Sequence, residues 1–480
     1  MSIKKENPKV DFVKNEHEIL DYWSKNKTFE KLVEKNSNGP KWSFLDGPIT
    51  ANNPMGVHHA WGRTLKDLYQ RYKSMNGHQL RYQNGFDCQG LWVEIEVEKE
   101  LGIKSKKEVE DLGIEKFVNL CKERVEKFSE VQKNQSIRLG YWMDWDNSYF
   151  TMSEENNYAI WAFLKKLHED GKIYRGTDVV PWSGRSGTSY SQMEIIEGRK
   201  LTVHKGVFVK FPLKDKENEN ILIWTTTPWT LSSNIAVAVN KKINYAKIKA
   251  QDGSIYFVAE TNLKYQRLNK EFAEKKNWVD GVPKLKTLDQ IFKERGGYEI
   301  IEVIKGEKLI GLTYQGPFDH LEPQSTKGGY PIHDTSNLQD KSAIDCHIII
   351  DGGKDSEGND MVVEGEGTGF VHMAGGCGAI DNKICKKEGF VEISPIDNQA
   401  NFIQGFDFMS GLSVTDPETA QKIISNLKER DLLLYVEDYP HIYPHCWRSG
   451  DELVFKQVDE WYINMDWRNK IKSVVDEINW

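Results

Sequence analysis

The spacing of apolar residues changes near residue 200, and this change constrains the fold more than any other feature of the sequence. Before it, apolar residues recur at helical spacing around two short extended runs. After it, Val207, Val209 and Phe211 alternate along an extended run, and extended runs such as Ile235 to Val239 follow. A chain of 480 residues is also too long for one core, since domains hold roughly 100 to 200 residues. The sequence therefore predicts a parallel α/β domain interrupted by a separate β-rich domain.

Two strand, loop and helix units open the chain, in the order typical of a parallel sheet. The first runs from a strand at Trp42 to Leu45 into a helix whose apolar face extends from Trp61 to Met75, and Asn76 and Gly77 end that helix. The second begins with an extended run at Gln79 to Gln83. A later helix starts near Ser153, and its predicted inward-facing residues are Tyr158, Trp161, Leu164 and Leu167.

Composition limits the cellular context but leaves the partner open. The formal net charge is −8, so a nucleic-acid partner requires a local basic patch. The six cysteines are widely scattered, which favours a reducing compartment over a disulfide framework. No apolar run approaches the roughly 20 residues that span a bilayer, and the start is polar. We therefore expect a cytoplasmic protein with no membrane partner.

The candidate nucleotide site is the loop and helix start from Gly47 to Arg63, because the sequence contains no Walker motif. Free backbone N–H groups and the helix dipole at such a junction favour a polyphosphate. His58 and His59 at the same point can donate hydrogen bonds to phosphate oxygens as charge develops. Taken alone, two histidines at a helix start also fit a purely structural role.

Two further motifs carry chemistry, and each has a plain alternative. Asp87 follows the second extended run, where a carboxylate can hold an ammonium group or simply form a turn. Thr225, Thr226 and Thr227 precede Pro228 and offer hydroxyls to a ribose or an α-amino group, although an ordinary edge strand has the same composition.

These motifs together resemble the class I aminoacyl-tRNA synthetases, and among them the isoleucyl-tRNA synthetases. The stretch from Gly47 to Asp67 resembles their HIGH region, and Gly85 to Glu94 resembles the isoleucyl pattern G-W-D-C-H-G-L-P-V-E. Trp224 to Asn234 resembles the threonine-rich peptide of the editing domain shared by isoleucyl, valyl and leucyl synthetases. Gly367 to Asp381 resembles the editing pattern G-T-G-x-V-H-x-A-P-x-x-G-x-D-D. The resemblance covers essentially the whole chain.

The resemblance implies ATP-dependent activation of isoleucine, its transfer to tRNA(Ile), and hydrolytic editing of valyl-tRNA, with Mg²⁺ accompanying ATP. The implied catalytic residues are Gly56, His58, His59 and Asp381. The implied ATP-binding residues are Asn52, Gly56, His59 and Gly62. The implied amino-acid site consists of Pro48, Asp87, Gln89 and Trp461. The implied editing residues are Thr225, Thr226, Thr227, Thr230, Asn234, His372 and Asp381.

The chain departs from the family pattern at three places. It reads Gly56-Val57-His58-His59 where the family usually has His-Ile-Gly-His, so the first and third positions are exchanged. Gly375 replaces the usual proline and Ile380 the first acid of the editing pattern. In a segment that resembles a zinc knuckle, both cysteine positions are serine, at 183 and 186, and Cys446 lacks its usual partner; we therefore expect no structural zinc.

The predicted architecture is an incomplete Rossmann-type parallel sheet with an inserted β-rich editing domain. The expected limits are 1–195 for the helix and first half of the catalytic domain, 196–397 for the editing domain, and 398–480 for the return segment. The resemblance implies that the chain stops before the KMSKS half, so we expect that it does not activate isoleucine by itself. We also expect a monomer. Two alternatives remain, a free-standing editing deacylase and a non-catalytic tRNA-binding paralogue.

Overall fold

The structure is a computed structural model that describes residues 9–44, 47–265, 285–332, 340–354, 358–447 and 449–478. It divides into two compact units. Unit 1 comprises Met1–Ile173 and Ile463–Trp480, and unit 2 comprises Tyr174–Tyr462. The predicted α/β class, with parallel sheet segments and a larger β-rich sheet, is confirmed. The domain limits at 195 and 397 stay predictions.

Unit 1 is built mainly from helices around short parallel strands. Its helices are α1 (Phe12–Asn26), α2 (Thr28–Lys35), α3 (Val57–Met75), α4 (Leu91–Leu101), α5 (Lys106–Leu112), α6 (Ile114–Arg138) and α7 (Glu154–Glu169), with a further helix at Arg468–Asp476. Its strands are β1 (Lys41–Trp42), β2 (Ile49–Thr50), β3 (Gln79–Leu80), β4 (Gln83–Asp87) and β5 (Asp144–Phe150). Part of the predicted first strand, Leu45, lies outside the described residues.

The strands of unit 1 pair in parallel, as the repeated strand, loop and helix order predicted. Strands β2, β4 and β5 form one sheet, with Thr50 opposite Asp87 and Phe86 opposite Phe150. Strands β1 and β3 form a second parallel pair. The buried residues Ala51, Phe86 and Val125 form a core on this sheet. The carboxyl ends of β2 and β4 therefore meet at one edge, where ligand sites of such sheets lie.

Local helix signals were accurate in this unit, whereas one burial prediction was wrong. Helix α3 ends at Met75 with Asn76 as its C-cap, and Ser153 caps the start of α7 as expected. Tyr158 and Trp161 of α7, predicted to face inward, are exposed, Trp161 at 68%. Only Leu167, near the C-terminal end of α7, is fully buried. Helical spacing identifies an apolar face, but whether that face is covered depends on the tertiary packing.

Unit 2 contains most of the strands. These are β6 (Ile173–Ser183), β7 (Thr188–Ser189), β8 (Arg199–Pro212), β9 (Glu219–Thr225), β10 (Ala236–Val239), β11 (Asn244–Ala250), β12 (Ile255–Ala259), β13 (Tyr298–Lys305), β14 (Gly329–Tyr330), β15 (Ile349–Asp351), β16 (Val371–Met373), β17 (Glu392–Ile393), β18 (Leu433–Pro444) and β19 (Val454–Ile463). Its helices are α8 (Gln192–Glu197), α9 (Leu288–Glu294), α10 (Glu322–Ser325), α11 (Ala379–Glu388) and α12 (Pro417–Glu429), and Pro228–Ser233 forms a 3-10 helix.

Two sheets of unit 2 position the residues of its candidate site. The larger has the order β13-β11-β12-β9-β8-β18, and the smaller has the order β15-β10-β16. The predicted hairpin at Asp252 and Gly253 joins the antiparallel strands β11 and β12, and Asp416 and Pro417 start α12 as expected. Alternate residues of β8 and β9, such as Val207 and Ile223, enter one continuous apolar core. No helix in the described ranges has the length and apolarity needed to cross a membrane.

We predict that Gly85→Ala destabilises unit 1. A Cβ atom at Gly85 would lie 2.1 Å from the Cζ atom of Tyr149, on the neighbouring strand β5. Such overpacking costs about 1–3 kcal/mol of unfolding free energy, measured by urea denaturation. Gly62→Ala is the matched control, because its Cβ would meet nothing within 4 Å on helix α3 and should stabilise by about 0.5–1 kcal/mol. Equal stability of the Gly85→Ala variant and the native protein would contradict the packing described here.

Candidate active sites

The loop from Ala51 to Gly56 connects β2 to α3 and is held from one side by helix α6. Arg124 donates from Nε to the carbonyl oxygen of Asn52 at 2.8 Å. Gln132 donates from Nε2 to the carbonyl oxygens of Thr50 and Asn53, each at 2.9 Å. Because these backbone groups are satisfied by buried side chains, the loop is fixed before any ligand arrives.

Gln135 completes this clamp by accepting the backbone N–H of Met55 at 2.8 Å. The sequence analysis did not single out Arg124 or Gln132. The signal was available in their spacing, because positions 124, 132 and 135 share one face of α6. Buried polar residues repeated on one helix face indicate a polar partner rather than solvent.

His59 lies in the first turn of α3, and a backbone hydrogen bond determines which ring nitrogen carries the proton. Its Nδ1 atom accepts the N–H of Gly56 at 3.1 Å, so the neutral ring carries its proton on Nε2. Burial lowers the pKa of His59 below its ordinary value, and His58 and Arg63 lower it further. A neutral imidazole with a free Nε2–H at a helix N-terminus can donate to a phosphate oxygen.

The exchanged order of the motif has a steric basis at Gly56. The rings of His58 and His59 lie 3.8 Å apart between centroids, and His58 is exposed. A Cβ atom at position 56 would lie 2.9 Å from Cε1 of His58. Glycine at the first position therefore accommodates a histidine side chain at the third.

Asp87 is the last residue of β4 and faces two hydroxyl groups. Thr50 donates to its Oδ2 atom at 3.0 Å, and the hydroxyl oxygen of Thr151 lies 3.5 Å from Oδ1. The Thr151 hydroxyl also contacts the amide oxygen of Gln89 and accepts the N–H of Cys88. An ionised carboxylate has about four lone-pair positions, so Asp87 keeps acceptor capacity for an ammonium group.

The remaining predicted residues around the first site are placed less tightly. Pro48 is partly buried just before β2, and Gly62 lies about one helical turn after His59 with open space at its Cβ position. Trp461 belongs to unit 2 and is 69% exposed, so it is not a core residue. Its role in an amino-acid site stays a prediction.

In unit 2, the threonine-rich segment forms a chain of polar contacts that ends on His372. The hydroxyl oxygens of Thr225 and Thr227 lie 3.1 Å apart, and those of Thr227 and Thr230 lie 3.5 Å apart. The Thr230 hydroxyl lies 3.0 Å from Nε2 of His372. The antiparallel pairing of β10 with β16, which sets Val237 opposite His372, brings these distant segments together.

The protonation of His372 follows from these contacts. The Thr230 hydroxyl donates to the carbonyl oxygen of Thr227 at 2.8 Å, so Nε2 of His372 acts as the donor to Thr230. Nδ1 is then the unprotonated atom, and within the described residues it has no hydrogen-bond partner. Burial lowers the pKa of His372 to about 4, so the ring is neutral at physiological pH. The Nδ1 atom is itself buried.

Asp381 lies in the first turn of α11. Its Oδ2 atom accepts the N–H of Ala374 at 3.0 Å, two residues after His372 in the chain. Burial raises the pKa of Asp381 to about 6, although the N–H of Ala374 acts in the opposite direction. A cationic ligand would stabilise the ionised form, which suits an anchor for an ammonium group.

The two departures from the editing pattern are accommodated locally. A Cβ at Gly375 would lie 3.2 Å from the Cβ and Sγ atoms of Cys385, a tight contact that glycine avoids. Ile380, at the position of the family's first acid, is exposed, while Asp381 carries the contact to Ala374.

Two predicted residues of the threonine-rich segment have other surroundings. Thr226 lines a cavity of about 190 Å³ together with Thr227, His204 and Glu452, and neither His372 nor Asp381 borders that cavity. Asn234 is buried, accepts the Tyr314 hydroxyl at 2.7 Å, and donates to the carbonyl oxygen of Ala236 at 3.0 Å. Asn234 therefore fixes the end of the segment, whereas Thr225, Thr227 and Thr230 lead to His372.

Ser183 of the knuckle-like segment and Ser449, three residues after Cys446, contact one carboxylate. The hydroxyls of Ser183 and Ser449 both donate to Asp451, the first at 2.6 Å. Ser186 donates its N–H to the Ser183 hydroxyl oxygen at 3.0 Å, and Cys446 lies 2.9 Å from the Tyr190 hydroxyl. In the part of the chain that the structure describes, no group of three or more His, Cys, Asp or Glu side chains is arranged to hold a metal. The expectation of no zinc stays a prediction.

A model of the family described as tRNA synthetases class I (I, L, M and V) matches residues 18–480. The chain belongs to the class I tRNA synthetases. Isoleucine--tRNA ligase of Clostridium tetani is 34% identical to this synthetase chain over 478 residues, which cover 99% of the chain and 41% of the relative. Isoleucine--tRNA ligase of Pyrococcus horikoshii is 34% identical over 466 residues, which cover 97% and 39%. The synthetase chain thus spans about two fifths of the length of these curated relatives.

Two solved structures are also similar. A ternary complex of Agrobacterium radiobacter K84 agnB2 LeuRS with tRNA and LeuAMS has a TM-score of 0.33 and 13% identity, covering 93% of this synthetase chain and 49% of that chain. The GlLeuRS-CP1 structure has a TM-score of 0.30 and 11% identity, covering 49% of this chain and 99% of that chain.

We predict that Asp381→Asn stabilises this synthetase chain at neutral pH. The folded-state pKa of about 6 exceeds the ordinary 3.8, so between these values the folded state binds more protons and the native protein loses stability as pH rises. Asp381→Asn removes this buried charge. Its free energy of unfolding should therefore exceed that of the native protein by on the order of 1–3 kcal/mol above pH 6 and by nearly nothing below pH 4.

The measurement is urea denaturation at several pH values. Asp438→Asn is the control, since Asp438 forms an ion pair with Lys205 at the surface, at 2.6 Å. A stability difference between Asp381→Asn and the native protein that is the same at pH 4 and pH 7 would contradict a raised pKa at Asp381.

Proposed function

We propose that this chain forms part of an isoleucine--tRNA ligase, in which unit 1 contributes to ATP-dependent activation of isoleucine and unit 2 hydrolyses valyl-tRNA. The observation that supports the ligase assignment is the match of nearly the whole chain to isoleucine--tRNA ligases. The contact of Thr230 with His372 supports the hydrolytic assignment. Transfer to tRNA(Ile), a monomeric state and a cytoplasmic location belong to the same proposal.

In unit 1, the proposed reaction joins the isoleucine carboxylate to the α-phosphate of ATP and releases pyrophosphate. Asp87 would bind the isoleucine ammonium group, since it keeps free acceptor positions beside Thr50. The Nε2–H of His59 would donate to a phosphate oxygen as negative charge develops. Mg²⁺ would accompany ATP, with phosphate oxygens as its ligands. Asn52 and Gly62 would line the nucleotide site.

A second reaction is needed because isoleucine and valine differ by one methylene group. Burying that group discriminates by roughly 10- to 200-fold, which is less than accurate translation requires. A second site that admits only the smaller product supplies the rest. The threonine-rich segment, His372 and Asp381 all lie in unit 2, which supports assigning the second reaction to that unit.

In the proposed hydrolysis, water attacks the ester carbonyl carbon of valyl-tRNA. The ester bond to the ribose breaks, valine leaves, and the ribose oxygen takes up a proton. Asp381 would bind the valine ammonium, and Thr227 and Thr230 would contact the ribose. His372, with a pKa of about 4, is a weak base, so it would hold the Thr230 hydroxyl through Nε2 rather than take a proton from the water.

The same geometry favours one second candidate, a free-standing deacylase. Its support is that the predicted hydrolytic residues all belong to unit 2. Deacylation of valyl-tRNA without any binding of Mg–ATP would favour this candidate over the ligase. A chain that binds tRNA but has neither property would favour a non-catalytic paralogue.

We predict that His59→Ala weakens the binding of Mg–ATP by about tenfold or more, because a hydrogen bond to a charged group is worth about 1.5–3 kcal/mol. Isothermal titration of the chain with Mg–ATP measures the effect. His78→Ala is the control, since His78 contacts the carbonyl oxygen of Lys73 beyond the other end of α3. Unchanged affinity in His59→Ala would show that His59 does not contact the phosphates of bound ATP.

We predict that Asp381→Asn lowers kcat/KM for deacylation of valyl-tRNA(Ile) by roughly 10- to 100-fold, because it removes a charged hydrogen-bond acceptor for the ammonium group. Release of labelled valine is measured with the 480-residue chain, and Asp438→Asn serves as the matched control. Native-like deacylation by Asp381→Asn would show that Asp381 does not anchor the substrate. A native chain without deacylase activity would count against the hydrolytic function of unit 2.

A further inference from the structure

Helix α11, which carries Asp381, is tied to its surroundings through the next residue. Asn382 is buried, and its Nδ2 group donates to the carbonyl oxygen of Gly375 at 2.8 Å and to Oε1 of Glu392 at 3.1 Å. Gly375 directly follows Ala374, whose N–H binds the Asp381 carboxylate. The Asn382 side chain therefore anchors both partners of the Asp381 contact, the first turn of α11 and the loop at Ala374.

Glu392 extends this anchor to strand β19. Its Oε2 atom accepts from Nε2 of Gln457, whose side chain is 0% exposed. The Oε1 atom of Gln457 accepts the Ser394 hydroxyl. The backbone N–H of Gln457 donates to the carbonyl oxygen of Gly376 at 3.1 Å. The loop after Ala374 is thus held from α11 at Gly375 and from β19 at Gly376.

The direction of every hydrogen bond in this network is determined by its chemistry. A carboxylate only accepts, so the amide of Gln457 points its NH₂ group at Glu392 and its oxygen at Ser394, whose hydroxyl is then the donor. Asn382 also points an NH₂ group at Glu392. Glu392 therefore receives donors on both carboxylate oxygens, which an ionised carboxylate can do and an amide cannot. Lys386, one helical turn after Asn382, lies 3.9 Å from the same carboxylate.

We propose that Glu392 is a positioning residue for the hydrolytic site: by accepting from Asn382 and Gln457, it fixes the first turn of α11 and the Ala374 N–H on which Asp381 depends. The inference rests on the proposed deacylation of valyl-tRNA. Glu392 touches neither the substrate nor Asp381, and it acts through the orientation of the Asp381 carboxylate.

Glu392→Gln tests the proposal because it places one NH₂ group against another while preserving side-chain size. We expect KM for valyl-tRNA(Ile) to rise about tenfold while kcat stays within about twofold. A misoriented Asp381 would lose its hydrogen bond to the substrate ammonium, and losing a hydrogen bond to a charged group weakens binding by at least that factor. A decrease confined to kcat, or no change in either constant, would overturn the positioning role.

The reciprocal variant Glu392→Gln/Gln457→Glu is the decisive control. The amide introduced at position 392 would accept from Asn382 and donate to the carboxylate introduced at position 457. That carboxylate would still accept from Ser394, so every hydrogen bond is restored with the net charge unchanged. We expect KM to return to within about threefold of the native value. A KM that stays raised in the folded double variant would show that the hydrogen-bond pattern at positions 392 and 457 does not determine substrate binding. This variant also tests the proposal if Glu392→Gln alone does not fold.

Asp381→Asn, measured in parallel, separates this inference from the proposed function. If Asp381→Asn leaves deacylation unchanged, the assignment of the site itself fails. If Asp381→Asn impairs deacylation while Glu392→Gln has native KM, the site stands and the positioning role of Glu392 is wrong.

Discussion

The pairing of β10 with β16 is the constraint on which the hydrolytic site depends. It sets Val237 opposite His372 and thereby joins two segments more than a hundred residues apart in the chain. The threonine-rich segment precedes β10, so its hydroxyls reach the imidazole without a long loop. Antiparallel pairing fixes register strongly where one face is buried, and β10 is buried throughout. A shift of one residue would turn His372 to the other face and break its contact with Thr230.

Buried polar side chains perform the corresponding task in unit 1. Arg124, Gln132 and Gln135 of α6 bind backbone groups of the loop before α3, and this loop leads into His59. Each of these side chains pairs with a backbone group of the loop, which makes the loop conformation costly to change. Both candidate sites therefore rest on the same principle, since rigid elements hold a polar segment through its main chain.

The sequence predicted features that depend on local rules. The end of α3 at Asn76, the cap of α7 at Ser153 and the hairpin at Asp252 and Gly253 follow from the backbone preferences of those residues. The resemblance to the editing patterns also placed His372 and Thr230 in one predicted site. Such inferences need only the nearest residues or a family pattern.

Features that depend on tertiary packing could not be predicted. Tyr158 was expected inside, because periodicity shows which residues share a helix face but not what covers it. Thr226 and Thr227 are neighbours in one motif, yet only Thr227 contacts the hydroxyl chain that leads to His372. The network of Glu392 joins α11, β17 and β19, and nothing in their separate sequences indicates that they meet.

The central claim is that Thr227, Thr230, His372 and Asp381 form one pocket for an aminoacylated ribose. It is tested most directly by a crystal structure of the chain with a non-hydrolysable valyl-adenosine in which an amide replaces the ester. The account predicts the valyl ammonium within hydrogen-bond distance of the Asp381 carboxylate and the ribose beside Thr227 and Thr230. A ligand bound with its ammonium away from Asp381, or with its ribose away from both Thr227 and Thr230, would contradict it.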